Sequence, residues 1–112
     1  MCKLCSFVNA VFEGAKSDSV QSYLPVLMLL QELENQKRLQ LVAGDCPVDD
    51  TRSHLEHETH YTIHHYFKCV DCGQYFLTGA CIRGEPVYKS LKTLENEKLD
   101  KILWGKCGAL FQ

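Results

Sequence analysis

The chain has 112 residues, 46% of them hydrophobic, so we expect one packed domain over residues 1–112 and exclude wholesale disorder. The formal net charge of −2 shows no basic excess of the kind typical of nucleic-acid-binding proteins, so no general affinity for DNA or RNA is expected. The sequence has no signal-peptide pattern and no apolar run near the roughly 20 residues of a membrane span, which predicts a cytoplasmic protein with reduced cysteines.

The first part of the chain carries a C-x-x-C pair, Cys2 and Cys5, which predicts either a metal-binding knuckle or the start of a helix that packs inward. Small and polar residues at 14–19 predict a turn. A long helix is then expected from Ser19 to Leu41, because apolar side chains recur at helical spacing at Val26, Leu27, Leu30 and Leu33. We interpret this stripe as core, with a partner-binding face as the alternative.

The next segment is polar. Asp45 to Ser53 predicts a loop, and Cys46 within it has no second cysteine at metal-binding spacing, so we interpret it as a free thiol. The sequence HLEHETH at 54–60 is one residue short of the zinc-protease motif H-E-x-x-H, and the general-base geometry of that motif is therefore lost. We interpret it as a charged approach to the strand that begins near His60.

The stretch from His60 to Cys81 predicts a β-hairpin. Aromatic and β-branched residues alternate before Cys69-Val70-Asp71-Cys72-Gly73 and continue after it. Two cysteines separated by two residues can present both sulfurs to one metal ion from a single tight turn. The glycine allows a positive φ, which turns backbone N–H groups toward the sulfurs.

The last third predicts an edge strand and a helix. Proline cannot donate to a strand ladder, so the Val87-Tyr88 run after Pro86 is placed at an edge. Thr93 to Leu103 predicts a helix, and the apolar tail at 109–111 is expected to dock on the core. The predicted fold class is α+β, with a small antiparallel sheet carrying a zinc-knuckle hairpin, a long helix in the N-terminal half and a shorter C-terminal helix.

The two C-x-x-C pairs supply the four thiolates of a tetrahedral structural zinc site, so we predict Zn²⁺ bound by Cys2, Cys5, Cys69 and Cys72. In the alternative interpretation, the first pair consists of small buried hydrophobic residues. Other candidate third or fourth ligands are His64, His65, Cys81 and Cys107. A closed four-cysteine site is structural, whereas a three-ligand site with a histidine can be catalytic.

Redox or nucleophilic chemistry is the other use of such cysteines. Thiol oxidoreductases place C-x-x-C at a helix N-terminus, and the strand-like residues around Cys69 and Cys72 do not give that context. Cys81 and His65 are candidates for a nucleophile and its base only by residue type, since the sequence does not place them together. We therefore predict no enzymatic activity.

The segment YFKCVDCGQYF, from Tyr66 to Phe76, resembles the knuckles of zinc-ribbon proteins. The wider pattern is a short acidic chain with a Leu-rich helix, an aromatic strand running into C-x-x-C-G-x-x-F, and then Gly84 and Pro86. It is similar to small cytosolic bacterial immunity proteins, which neutralise secreted toxins by tight binding. This resemblance implies a non-enzymatic protein with a protein partner.

Three function classes follow. The first is a binding protein that masks a partner such as a toxin, the second a zinc-ribbon module for nucleic acid or transcription machinery, and the third a small metalloenzyme or thiol redox protein. We rank them in that order. Acidic side chains suited to a basic partner occur in two groups, the first made of Asp45, Asp49 and Asp50 and the second of Glu56 and Glu58. The alternative is that these carboxylates form an ordinary solvated surface.

Overall fold

The computed structural model describes residues 2–16, 23–82 and 84–112. Helices and strands in these ranges follow the order α1 (Lys3–Lys16), α2 (Tyr23–Asn35), β1 (Leu39–Gly44), a 3-10 turn (Val48–Asp50), α3 (Thr51–His57), β2 (Thr62–Cys69), β3 (Tyr75–Cys81), β4 (Val87–Leu91), α4 (Asn96–Ile102) and a second 3-10 turn (Ala109–Phe111).

The four strands form one antiparallel sheet in the order β1-β2-β3-β4, so each strand pairs with the next one along the chain. A bulge at Val42 interrupts the pairing of β1 with β2. β2 and β3 form the expected hairpin, and β4 lies at a sheet edge, as the proline before it predicted. The α+β class and the antiparallel sheet are confirmed.

Helices α1 and α2 cover one face of the sheet, where α1 contacts β4 and α2 contacts β1. The main core lies between these layers, with Phe12 and Leu27 from the helices meeting Phe67 and Phe76 from the strands. The rings of Phe12 and Phe76 pack edge to face with centroids 5.7 Å apart. A smaller apolar cluster on the other face includes Leu99 of α4.

The prediction of one long helix from Ser19 to Leu41 is wrong. Residues 19–22 lie outside the described part of the chain, α2 ends at Asn35, and Leu39 already belongs to β1. The helix stops because Lys37 adopts a left-handed conformation with φ 62°. The Lys37 N–H then donates to Glu34 O, and the N–H of the next residue donates to Leu33 O, both at 2.9 Å, which is a Schellman motif.

The N-terminal residues form a helix earlier and for longer than expected. The C-x-x-C pair opens α1, which confirms the helix alternative for this segment. Because α1 extends to Lys16, Gly14 is helical and not part of a turn, while residues 17–19 of that expected turn lie outside the described ranges.

The remaining differences between the predicted and the observed elements lie outside the hairpin. The expected loop at 45–53 contains the first 3-10 turn and the start of α3, and α4 is shorter than the predicted Thr93 to Leu103 helix. The C-terminal segment lies along β1, where Cys107 and Gly44 exchange two backbone hydrogen bonds. Its apolar end is only partly covered, since Leu110 and Phe111 are 45% and 37% exposed.

Candidate metal centre

The turn between β2 and β3 carries Cys69 and Cys72. Gly73 has φ +80°, and its N–H donates to Cys69 O at 3.0 Å. The N–H groups of Cys72 and Asp71 donate to the Cys69 sulfur, and the N–H of Gln74 donates to the Cys72 sulfur. The positive φ and the N–H groups turned toward sulfur were both expected from the sequence, and both are present.

The other two cysteines lie at the start of α1. Cys2 directly precedes the helix, and its carbonyl accepts the Ser6 N–H at 3.0 Å. Cys5 belongs to the buried stripe of α1, whose members are Leu4, Cys5, Val8, Phe12 and Ala15. The packing of that stripe on the sheet therefore brings Cys5 to the hairpin turn. The unpaired N–H groups of the first helical turn favour negative charge at this place.

The four sulfur atoms all lie within 4.8 Å of one another. Cys2 Sγ is 3.7 Å from Cys69 Sγ, and Cys5 Sγ is 3.3 Å from Cys72 Sγ. A regular tetrahedron of sulfurs at roughly 2.3 Å from a zinc ion has edges of about 3.8 Å, close to these values. A disulfide needs about 2.05 Å, and all seven cysteines are free thiols. The four-cysteine cluster therefore fits a metal ion and not a disulfide.

The cluster lies at the border between core and solvent. Cys5 and Cys69 are fully buried, Cys2 is partly buried, and Cys72 is exposed. Burial raises the pKa of Cys5. Burial also raises the pKa of Cys69, although the two N–H groups that donate to the Cys69 sulfur act in the opposite direction. Hydrogen bonds from the Gln74 N–H and the Cys5 thiol lower the pKa of Cys72 to about 6. Cys72 is therefore largely a thiolate at neutral pH, and a bound cation would deprotonate the buried thiols as well.

The alternative ligands lie elsewhere. His65 donates from Nε2 to Cys46 O at 2.8 Å, and His64 faces the carboxylate of Asp45, with Nδ1 4.0 Å from Oδ2. Within the described ranges, the four-cysteine cluster is the only group of three or more candidate metal-ligating side chains, and Cys81 and Cys107 are not part of it. Cys46 is a free, buried thiol, as expected.

The acidic residues fall into two kinds. The first kind is exposed and lies on the continuous segment 48–58, which we call the acidic segment. Its members are Asp49, Asp50, Glu56 and Glu58. Asp45 is only 3% exposed, so its assignment to a partner-binding surface is wrong. Its carboxylate accepts the backbone N–H groups of His64 at 2.7 Å and Trp104 at 2.6 Å, and so ties the C-terminal segment to the sheet. No sequence pattern indicates this contact, because the two elements are 59 residues apart.

Comparison of the chain with protein-family models, with curated proteins and with solved structures gives no match. The support for a metal site therefore comes from the residues themselves. Among the described residues, no helix is both long and apolar enough to cross a membrane.

Proposed function

We propose that Cys2, Cys5, Cys69 and Cys72 bind one Zn²⁺ ion that stabilises the fold. The observation that carries this proposal is the convergence of four sulfurs, from segments 67 residues apart, at near-tetrahedral spacing. Four thiolates fill the coordination shell of zinc and leave no open position for water or substrate. The site is therefore structural, in contrast to the three-ligand sites of zinc enzymes.

The donor set also restricts the choice of metal. Four thiolates in tetrahedral geometry select zinc or iron, whereas magnesium and calcium require oxygen ligands. The cluster joins the first turn of α1 to the β2–β3 turn, so the ion links the helical layer to the sheet. Because the four thiols come together only in the folded chain, the binding energy of the metal adds to the folding energy.

Metal analysis tests the site directly. Protein produced with ample zinc should contain about one zinc per chain, with zinc–sulfur distances of about 2.3 Å by X-ray absorption. Cys69→Ser should lower both the zinc content and the melting temperature. Cys81→Ser is the matched control, because Cys81 ends β3 of the same hairpin but lies outside the cluster. Zinc-free wild-type protein, or equal zinc loss in the two variants, would contradict the proposal.

The second part of the proposal is that the zinc-stabilised fold acts as a non-enzymatic binding protein, in its specific form an immunity protein that neutralises a basic toxin. The acidic segment supports this, because its four exposed carboxylates are accompanied by a single cationic side chain of the Lys or Arg type, Arg52. Such a surface speeds association with a basic partner and does less for the lifetime of the complex.

Charge reversal tests the acidic segment. With a basic toxin domain as the partner, the double variant Asp49→Lys, Asp50→Lys should slow association more than it speeds dissociation, and added salt should reduce the difference. The matched control is Glu85→Lys, Glu97→Lys, which reverses two exposed carboxylates outside the segment. Equal association rates for the two double variants would show that the acidic segment is not the recognition surface.

A further inference from the structure

The sheet face opposite α1 and α2 is apolar but incompletely covered. Helix α4 has seven residues, which make a cylinder about 10 Å long, whereas four strands span about 14 Å between the outer two. Tyr66, Leu77 and Leu99 are buried in the cluster on this face. Other apolar side chains of the cluster stay partly exposed, namely Tyr75, Val87, Leu91, Leu94 and Leu103.

A cleft of about 270 Å³ lies between α4 and the strands, and we call it the α4 cleft. Six apolar or aromatic side chains line it, Tyr66, Leu77, Leu91, Leu94, Leu99 and Ile102. At roughly 30 Å³ per small group, the space takes about nine non-hydrogen atoms. The lining combines an apolar floor with a few polar groups, which is the usual composition of a small-molecule site.

The rim of the cleft carries a positive charge. Lys98 is paired with Glu95 at 2.8 Å, so these two charges offset each other. Lys89 also lines the cleft and has no ion-pair partner in the described part of the chain. It lies on β4 directly opposite Leu77 of β3, and therefore on the same sheet face as the buried floor. A complementary ligand has an apolar body and one negative end.

We propose that the α4 cleft binds an amphipathic carboxylate with an unbranched chain of about eight carbons. The chain lies between α4 and strands β3 and β4, and the carboxylate pairs with Lys89. This site is independent of the four-cysteine cluster, so its test can fail while the zinc site holds.

Octanoate is the probe, titrated into the zinc-loaded full chain and followed by NMR amide shifts. The shifts should concentrate at Lys89, Leu91 and Ile102. Affinity should rise about fourfold for each methylene, so octanoate should bind about fifteenfold more tightly than hexanoate. Dodecanoate should gain little more, because its chain exceeds the cleft, and octylammonium should bind more weakly than octanoate because it repels Lys89.

Two pairs of variants locate the site. Ile102→Glu places a charge in the cleft and should lower octanoate affinity at least tenfold, whereas Met28→Glu changes an exposed apolar residue on α2 and should leave it unchanged. Lys89→Gln should weaken octanoate binding about twofold to fivefold, as expected for an exposed ion pair, while Lys101→Gln, which changes an exposed lysine of α4 outside the cleft lining, should not. Circular dichroism and zinc content confirm that each variant is folded.

Three results would overturn the proposal. The first is a set of NMR shifts spread away from the α4 cleft. The second is an affinity that keeps rising through dodecanoate or is equal for octylammonium, since both indicate nonspecific adsorption. The third is an equal loss of octanoate binding in Ile102→Glu and Met28→Glu.

Discussion

Replacing Asp45 with alanine should destabilise the fold by about 3–5 kcal/mol, because three backbone donors lose a charged acceptor. The carboxylate accepts the N–H groups of His64 at 2.7 Å, Trp104 at 2.6 Å and Gly105 at 3.2 Å. Each hydrogen bond to a charged group contributes roughly 1.5–3 kcal/mol, and the longest of the three is expected to contribute least. Removal of a buried charge offsets part of the loss. The remainder is a large share of the roughly 5–15 kcal/mol typical of a small domain.

Urea denaturation measures this loss with two signals. Circular dichroism follows the whole fold, and fluorescence of Trp104, the one tryptophan of the chain, follows the C-terminal segment. Asp45→Asn should give an intermediate loss. It keeps an oxygen for Trp104 and Gly105, which share Oδ1, but can place an amide donor against the His64 N–H. Asp49→Ala removes an exposed carboxylate and should change stability by less than about 0.5 kcal/mol.

Two outcomes would refute the reasoning about Asp45. If the alanine variants at positions 45 and 49 unfold at the same urea concentration, the buried carboxylate does not stabilise the fold. If Asp45→Ala changes only the Trp104 signal and leaves the dichroism transition in place, the carboxylate holds the C-terminal segment locally and contributes nothing to the rest of the molecule.

Three further predictions concern the packing of two glycines, the conformation of Lys37 and the effect of pH on stability. Gly105→Ala should prevent stable folding, because the added Cβ would lie 1.8 Å from Asp45 O. At Gly14 in α1 an added Cβ has no neighbouring atom within 4 Å, so Gly14→Ala should raise the free energy of unfolding by about 0.5–1 kcal/mol. Thermal denaturation compares the two variants. Lys37→Gly should raise the urea midpoint, because the left-handed conformation costs lysine roughly 1 kcal/mol; an unchanged or lower midpoint would contradict this. Burial lowers the pKa of His65 from its ordinary 6.5, so the unfolded chain binds more protons, and the free energy of unfolding should fall as pH drops from about 7 to about 5. Urea denaturation at each pH, with zinc content followed in the same samples, checks this last prediction, and a flat profile while zinc stays bound would contradict it.

The hairpin could be predicted from sequence because its signals are local. Alternation along β2, the C-x-x-C-G turn and the aromatic residues of β3 all lie within about 20 consecutive residues. The sequence also favours Cys2 and Cys5 as the partners of Cys69 and Cys72, because they form the other C-x-x-C pair of the chain, but spacing alone leaves His64, His65, Cys81 and Cys107 open as ligands.

The errors have equally specific causes. The sequence does not indicate the end of α2, because Lys37 takes the left-handed position where glycine or asparagine is usual. Leu39 and Leu41 then continue the leucine pattern of the helix, although they belong to a strand. The sequence places Asp45 at the surface because acidic residues are usually exposed, and it does not show the buried hydrogen bonds of Asp45, since their donors belong to segments distant in the chain.

Because 67 residues separate the two cysteine pairs of the cluster, the ribosome makes the pairs at different times. A ribosome adding roughly 5–20 residues per second makes Cys72 about 3–13 seconds after Cys5. With the proposed zinc site, the first pair of thiols has only half of the ligand set during that interval and is open to other metals and to oxidants. The complete set of four cysteines can therefore come together only late in synthesis, when the hairpin turn emerges and supplies the second pair.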